Sequence, residues 1–192
     1  MMNREFALDQ RALLRVGVID RQMHGGVCWA MSYDWIKRGL CALGRTRPTY
    51  TNVARFVSQQ RALRQGWAIV NYRTMAPPRD GLVVNSIKQG PIRNAADWGR
   101  LARSIGTCGR GVYELGVWGV GWNHATAFSN EAGARRFFDP ELGQYLQVGA
   151  GGPGDYIVNT LLVPTYGVTV TNWEIWQYTG APRDAVWLQN NP

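Results

Sequence analysis

The chain has 192 residues, enough for one domain with a buried core, and 45% of them are hydrophobic, which excludes a disordered chain. Lys and Arg total 21 against 13 Asp and Glu, giving a formal net charge of +8. The basic residues are spread along the chain, which favours a solvated basic surface and leaves attraction to an anionic membrane surface as an alternative. Zinc-finger spacings and RNA-recognition signatures are absent from the sequence, so we expect no nucleic-acid partner. We predict a single domain over residues 1–192 and a monomer.

The cysteine pattern favours a reactive thiol over a disulfide framework or a metal site. Three cysteines occur, Cys28, Cys41 and Cys108, an odd number without any Cys-x-x-Cys pair. We interpret Cys41 and Cys108 as structural and expect neither a metal nor a cofactor. The first ten residues lack the apolar segment of a secretory signal, and no apolar run approaches the ~18 residues of a membrane span.

The N-terminal half is predicted to be mainly helical. Apolar residues recur at helical spacing over residues 28–43, which predicts a central, largely buried helix that Gly44 would stop. The other predictions for this half, in chain order, are a polar lead over residues 1–20, a glycine loop over 20–27, a helix from a cap at Thr51 or Asn52 to about 65, a strand over 67–72, a loop-rich stretch over 73–90 and a helix from a cap at Asn94 to about 105.

The C-terminal half changes to short runs of β-forming residues separated by turn residues. Its predictions, in chain order, are strands over residues 112–120, 123–128, 134–138 and 144–148, with a hairpin turn over 139–143, then a flexible glycine segment over 149–154, a helix from Asp155 to Leu162 stopped by Pro164, and a final hairpin over 168–171 and 173–178. Helices followed by a meander of antiparallel strands predict an α+β domain, with the central N-terminal helix packed on the sheet.

Cys28 is the candidate nucleophile. It follows Gly25 and Gly26 at the predicted start of the central helix, where free backbone amides and the helix dipole favour a thiolate. A thiolate is the nucleophile of cysteine hydrolases, whereas a buried cysteine that only packs is the alternative interpretation. The next residue, Trp29, we interpret as a core residue.

Only two histidines are available to act as a base, His24 and His124. His24 lies in the predicted glycine loop, which favours a solvated or substrate-lining role. His124 lies in one predicted strand and Asp139 at the end of the next, so a hairpin would bring the two side chains together. A cysteine, a histidine and a carboxylate in this order match the requirements of thiol catalysis: a nucleophile, its base, and a group that fixes the tautomer of the base.

These residues carry a resemblance to known enzymes. Residues 26–31, Gly-Val-Cys-Trp-Ala-Met, resemble the nucleophile motif of papain-like proteases, and Gln22 stands at the spacing of their oxyanion-hole glutamine. The His-Ala pair at residues 124–125 and the run Phe-Phe-Asp-Pro-x-x-Gly at 137–143 resemble more closely the YopT/AvrPphB family of bacterial effector cysteine proteases. The resemblance spans roughly residues 20–180 and implies a papain-like fold.

The resemblance also implies a function. Cys28, His124 and Asp139 would form a triad, with Gln22 and the Cys28 backbone N–H stabilising the oxyanion of an attacked carbonyl. The expected function is a cysteine protease that is secreted through a specialised system and cleaves a host or competitor protein in the target-cell cytoplasm. The same triad would serve a deamidase or transglutaminase acting on Gln or Asn side chains. A basic binding module without enzymatic activity is the third interpretation.

Overall fold

The computed structural model describes residues 1–16, 26–69, 80–131, 134–148 and 152–191. Within these ranges, seven strands form one antiparallel sheet in the order β1-β6-β5-β4-β3-β7-β2. Their bounds are Met2–Ala7 (β1), Leu82–Pro91 (β2), Gly111–Gly119 (β3), Trp122–Glu131 (β4), Ala134–Asp139 (β5), Gly143–Gln147 (β6) and Asn172–Gly180 (β7). The helices are Gln10–Val16 (α1), Cys28–Leu40 (α2), Val53–Ile69 (α3), Ala95–Gly106 (α4), Pro153–Tyr156 (α5), Val163–Tyr166 (α6) and Ala185–Asn190 (α7), with a 3₁₀ turn at Arg47–Tyr50 and a π-helical segment at Ile157–Leu162.

Two apolar cores lie on opposite faces of this sheet. On one face, α2 and α3 pack against side chains that include Val112 of β3 and Phe138 of β5. On the other face, α4 and the helical residues 153–166 pack against alternate side chains of β3, among them Tyr113 and Leu115. Because successive side chains of a strand point to opposite faces, one strand contributes to both cores.

Helix α2 is buried along almost its whole length, which confirms the predicted central helix. Its apolar residues enter the first core, and its Asp34 pairs with two arginines, Arg38 at 2.9 Å and Arg55. A buried carboxylate is tolerated where such cations compensate its charge. The helix ends three residues earlier than predicted because Ala42 takes the left-handed conformation, with a φ of 56°.

The helix caps were predicted well and the segment between the two capped helices was not. Asn52 accepts a hydrogen bond from the Arg55 backbone at 3.2 Å, and Asn94 accepts from the second and third residues that follow it. The predicted strand over 67–72 is wrong for its described part, because α3 continues through Ile69. The loop predicted over 73–90 is also wrong where it is described. The turn at Gly81, with a φ of 75°, is followed by strand β2, which pairs along its length with β7.

The first residues form an edge strand rather than a polar lead. Strand β1 pairs with β6, with Met2 opposite Gln147, and α1 follows it. An edge strand pairs with one neighbour only and commonly carries exposed polar and charged side chains, which discourage pairing with other chains. This polar composition concealed strand β1.

The region after β6 also departs from its prediction. Residues 149–151 lie outside the described residues, but Pro153 and Gly154 of the predicted glycine segment already belong to α5. The helix does not stop at Pro164, because the π-helical segment passes into α6 just before it. The proline falls in the first turn of α6, where a missing backbone N–H is tolerated.

The end of the chain has one strand where a hairpin was predicted. Strand β7 lies between β3 and β2, while residues 168–171 form no strand; helix α7 was not predicted. The four strands from β3 to β6 and the turn at 139–143 match their predictions closely. Among the described helices, none has the length and apolar character needed to cross a membrane.

Candidate active site

Cys28 is the first residue of α2, and its side chain is only 2% exposed. Helix positions at this end carry backbone N–H groups without an intrahelical acceptor, together with the positive end of the helix dipole. Gly26 precedes it with a φ of 73°, a conformation that favours glycine. A Cβ on Gly26 would also stand 2.9 Å from the Gln10 side-chain oxygen, so this turn requires glycine for two reasons.

Gln10 connects the start of α2 to the turn that follows β5. Its Oε1 accepts the Val27 backbone N–H at 2.8 Å, and its Nε2 donates to Glu141 at 3.0 Å. Its own backbone N–H donates to the Pro140 carbonyl at 3.0 Å. One buried amide therefore holds the residue before the cysteine in a fixed relation to the segment after Asp139.

His124 and Asp139 meet through the β4–β5 hairpin. Ala127 pairs with Phe138, which carries the next residue, Asp139, towards the part of β4 that holds His124. His124 Nε2 lies 3.0 Å from Asp139 Oδ1, and the side chains are 6% and 0% exposed. The carboxylate also accepts the Glu141 backbone N–H at 2.8 Å, so it caps the turn and orients the imidazole at once.

The Cys28 side chain is a second hydrogen-bonding partner of the imidazole. Since Asp139 occupies Nε2, Nδ1 is the ring nitrogen that remains for the sulfur. Burial lowers the pKa of His124, but the charge and hydrogen bond of Asp139, helped by Cys28, outweigh this and raise the pKa to about 10. At neutral pH the imidazole is therefore protonated between a carboxylate and a sulfur, the arrangement that supports a thiolate–imidazolium pair.

Tyr166, from α6, covers the pair. Its hydroxyl lies 3.1 Å from Asp139 Oδ2 and 3.2 Å from Oδ1, and 3.1 Å from His124 Nε2. Its ring packs against the imidazole with the ring centres 4.8 Å apart. Burial, followed by the charge of Asp139, raises the pKa of Tyr166, so its hydroxyl keeps its proton and donates a hydrogen bond to the carboxylate.

A cleft that is partly open to solvent begins at the cysteine and the histidine. The described residues that line it are Cys28, Trp29, Gln60, Val84, Glu114, Gly116, Val117, Trp118, Asn123, His124, Ala125, Trp176 and Tyr178. Trp29, predicted as a core residue, is only partly buried and stands in this wall beside Cys28. Cys28 and His124 therefore both line a cleft that is large enough to be considered as a binding site.

The structure thus brings together three of the four predicted site residues. Gln22, predicted for the oxyanion hole, lies outside the described residues, as does His24. Cys41 and Cys108 form no disulfide, and burial raises the pKa of both thiols. Among the side chains that the structure describes, no group of three or more His, Cys, Asp or Glu is arranged to hold a metal ion.

Sequence reasoning missed three residues around this site. Gln10 and Tyr166 lie far from the motifs in the chain, and no local pattern marks either of them. Glu114 had a signal that was overlooked: an acidic residue within the otherwise apolar and aromatic run of strand β3.

The fold and this constellation can be compared with known proteins. No family model matches the sequence, and no curated protein matches it. Among solved structures, the Pseudomonas avirulence protein AvrPphB is similar over 87% of this chain and 99% of its own, with a TM-score of 0.57 and 15% sequence identity.

A second similar structure is the ubiquitin-specific protease encoded by the murine cytomegalovirus tegument protein M48, solved with a ubiquitin-based suicide substrate. The similarity covers 94% of this chain and 87% of that one, with a TM-score of 0.51 and 12% identity. At these identities the comparison establishes the fold: the chain has the α+β papain-like fold that was predicted.

Proposed function

We propose that the protein is a cysteine peptidase in which Cys28, His124 and Asp139 form the catalytic triad. The observation that carries the proposal is the buried chain of contacts from the sulfur through the imidazole to the carboxylate, at the mouth of a cleft. Two similar structures, one of a protease and one of an avirulence protein, support the same assignment.

The reaction proceeds through a thioester. The Cys28 thiolate attacks the carbonyl carbon of the substrate, and the carbonyl electron pair moves to oxygen, where the Cys28 backbone N–H and, as predicted from the sequence, Gln22 stabilise it. His124 transfers its proton to the leaving amine as the C–N bond breaks. A water molecule then gives its proton to His124, attacks the thioester and releases the acid, which regenerates the thiolate pair. Asp139 holds the imidazole throughout.

The first test is the rate of alkylation by iodoacetamide at each cysteine from pH 4 to 9, measured by peptide mass spectrometry. At pH 5.5 a free thiol with a pKa of ~8.5 is about 0.1% thiolate, so we expect Cys28 to react on the order of 10²-fold faster than Cys41 and Cys108. Those two cysteines are internal controls on the same chain. Loss of the advantage in His124→Ala supports the pair; equally slow labelling of all three thiols, or an unchanged rate in His124→Ala, rules it out.

The product separates a peptidase from the deamidase or transglutaminase that the same triad would support. A peptidase produces new chain termini in a treated protein mixture. A deamidase adds about one dalton per modified side chain, and a transglutaminase joins an amine to it. New termini that depend on the Cys28 thiol, and disappear in Cys28→Ala, support the proposal.

The wider role is also a proposal. The substrate is a protein, and the chain acts as a bacterial effector delivered by a specialised secretion system into the cytoplasm of a target cell. This is supported by the resemblance of its motifs to bacterial effector proteases and by the similarity to an avirulence protein. Substrates would be identified as proteins that are cleaved in target-cell lysate by the wild type and remain intact with Cys28→Ala.

A further inference from the structure

The cleft beside the nucleophile contains a buried carboxyl group that the triad does not use. Glu114, on β3, is 5% exposed and lies in the cleft wall. Among the described residues that line the cleft it is the only carboxylic acid, and His124 is the only basic one. His124 is already paired with Asp139 and Cys28, so no cation of the described cleft wall is left for Glu114.

Within the part of the chain that the structure describes, the hydrogen bonds of Glu114 come from neutral donors. Tyr178 Oη donates to its Oε2 at 2.6 Å, and the Trp29 side chain donates a second bond. These bonds orient the carboxylate without compensating its charge. Burial and the nearby Glu174 raise the pKa of Glu114 to about 7, so the group is poised between its two protonation states under physiological conditions.

The walls around Glu114 are aromatic. Trp118 and Trp176 stack with ring centres 6.4 Å apart, and Trp29 and Tyr178 complete the lining on the carboxylate side. Gly116 makes the wall possible, because a Cβ at this position would stand 2.7 Å from the Trp176 ring. Aromatic faces carry partial negative charge and attract cations, most strongly where water is excluded.

We propose that this cleft binds a cationic side chain of the substrate, lysine or arginine, close to the bond that Cys28 attacks, with Glu114 as its counter-ion and the tryptophans as its walls. The inference rests on the proposed peptidase function, since it assigns the substrate side chain of that same site. It also explains why a chain with a net charge of +8 holds an acidic group in its cleft: the local carboxylate and ring faces attract a cation that the rest of the surface repels.

The test uses peptidyl chloromethyl ketones, in which the Cys28 thiolate forms a C–S bond and chloride leaves. Two pairs of reagents are compared. In each pair one reagent carries arginine and the other its neutral isostere citrulline; the first pair varies the residue next to the reactive carbon, and the second pair varies the residue before it. We expect the arginine reagent to react about tenfold faster than its citrulline partner at one of these two positions, which corresponds to ~1.4 kcal/mol of ion-pair energy. The ratio should rise between pH 6 and 8, as Glu114 loses its proton.

The variant that isolates the carboxylate is Glu114→Gln, which retains an acceptor for Tyr178. The arginine-to-citrulline ratio should fall to about one in this variant and stay unchanged in Asp155→Asn, an exposed acid on α5 that alters the net charge equally. The ratio is taken within each variant, so a general change in Cys28 reactivity cancels.

Failure of the inference is distinguishable from failure of the proposed function. If iodoacetamide labels Cys28 rapidly but the wild type shows no arginine preference, or the preference survives in Glu114→Gln, the cation subsite is wrong and the peptidase stands. If Cys28 shows no enhanced reactivity towards iodoacetamide, the peptidase proposal itself fails. The wild-type ratio and its pH dependence decide the matter even if Glu114→Gln does not fold.

Discussion

Two buried carboxyl groups in one sheet behave differently because their partners differ. Asp139 is fully buried and faces the His124 imidazolium, a backbone N–H and the Tyr166 hydroxyl. Glu114 is almost as buried, but among the described residues the side chains that donate to it are the neutral Tyr178 and Trp29. The cation beside Asp139 belongs to the protein, whereas no described cleft residue supplies one to Glu114.

The comparison distinguishes a carboxyl group that has a cation of the protein as its partner from one that can accept a cation from a bound molecule. A carboxylate with a permanent cation orients that cation through their hydrogen bond. A carboxylate with neutral donors alone has a pKa near neutrality, as Glu114 does, and gains from any cation that enters. The first suits a fixed catalytic element, and the second suits a binding subsite.

The largest expected effect comes from removing Asp139, the carboxylate that pairs with His124. Asp139→Ala should lower kcat/KM for a cleavable substrate by on the order of 10²–10⁴, because the imidazole loses the group that fixes its tautomer and stabilises its charge. The His124 pKa should fall far below about 10, since burial then acts with little opposition. NMR titration can follow this directly, because the chain has only two histidines and His24→Gln assigns the signals.

Asp139→Asn is the matched control, since its side-chain oxygen still accepts a hydrogen bond from the imidazole. We expect a smaller loss of activity and an intermediate His124 pKa. An Asp139→Ala protein with activity within twofold of the wild type would show that the charge of Asp139 has no part in the chemistry.

The next effect concerns stability at mildly acidic pH. The Glu114 pKa is about 7 in the folded protein against 4.5 for the unfolded chain, so the folded state binds this proton more tightly. Its contribution is therefore favourable below pH 4.5 and is lost as the pH rises from 4.5 to about 7, a change on the order of 2–3 kcal/mol. Urea unfolding should show this decline in the wild type and in Asp155→Asn but not in Glu114→Gln.

Protonated His124 stabilises the folded state over a second pH range, on the alkaline side. The His124 pKa is about 10 in the folded protein against 6.5 unfolded, so its stabilising contribution is complete below pH 6.5 and is lost as the pH rises to about 10. His124→Ala should flatten the unfolding free energy over this range and leave the lower window unchanged. If both variants flatten the same window, the two buried groups are coupled and the comparison between them fails.

The proximity of Cys28, His124 and Asp139 was predictable because its signals are local. Glycines before a cysteine at a helix start, and a histidine and an aspartate on adjacent strands of one hairpin, are readable as short patterns at fixed spacing. His124 and Asp139 come together as soon as the hairpin of β4 and β5 forms. The papain-like fold followed from the same motifs together with the order of helices and strands.

The rest depended on contacts between distant parts of the chain. Strand β1 is polar because it is an edge strand, and its identity comes from pairing with β6 more than 130 residues away. Gln10 reaches Glu141 and Val27 in the same way. The strand predicted over 173–178 corresponds to β7, but its predicted partner over 168–171 is wrong, because the sequence gives no sign that β7 pairs with β3 and β2 instead. Residues whose role is to join remote segments carry no local pattern.

The smallest expected effect comes from removing the Tyr166 hydroxyl, which donates to Asp139. Tyr166→Phe keeps the ring that packs on His124 and removes only the hydroxyl, which contacts both Asp139 oxygens and His124 Nε2. The fully buried Asp139 then loses one hydrogen-bond donor, which costs about 1.5–3 kcal/mol for a bond to a charged group. Part of this cost destabilises the ground state as well as the transition state, so only the remainder lowers the rate. We expect kcat to fall about three- to tenfold with KM nearly unchanged, and the His124 titration to shift measurably. Trp122→Leu provides a control for the packing of the tyrosine ring, because Trp122 stacks on Tyr166 with the ring centres 6.1 Å apart. If Tyr166→Phe changes stability but neither kcat nor the His124 pKa, the tyrosine only packs against the pair. If Tyr166→Phe lowers kcat and shifts the His124 titration while Trp122→Leu leaves both as they were, the hydroxyl positions the carboxylate that orients the catalytic imidazole.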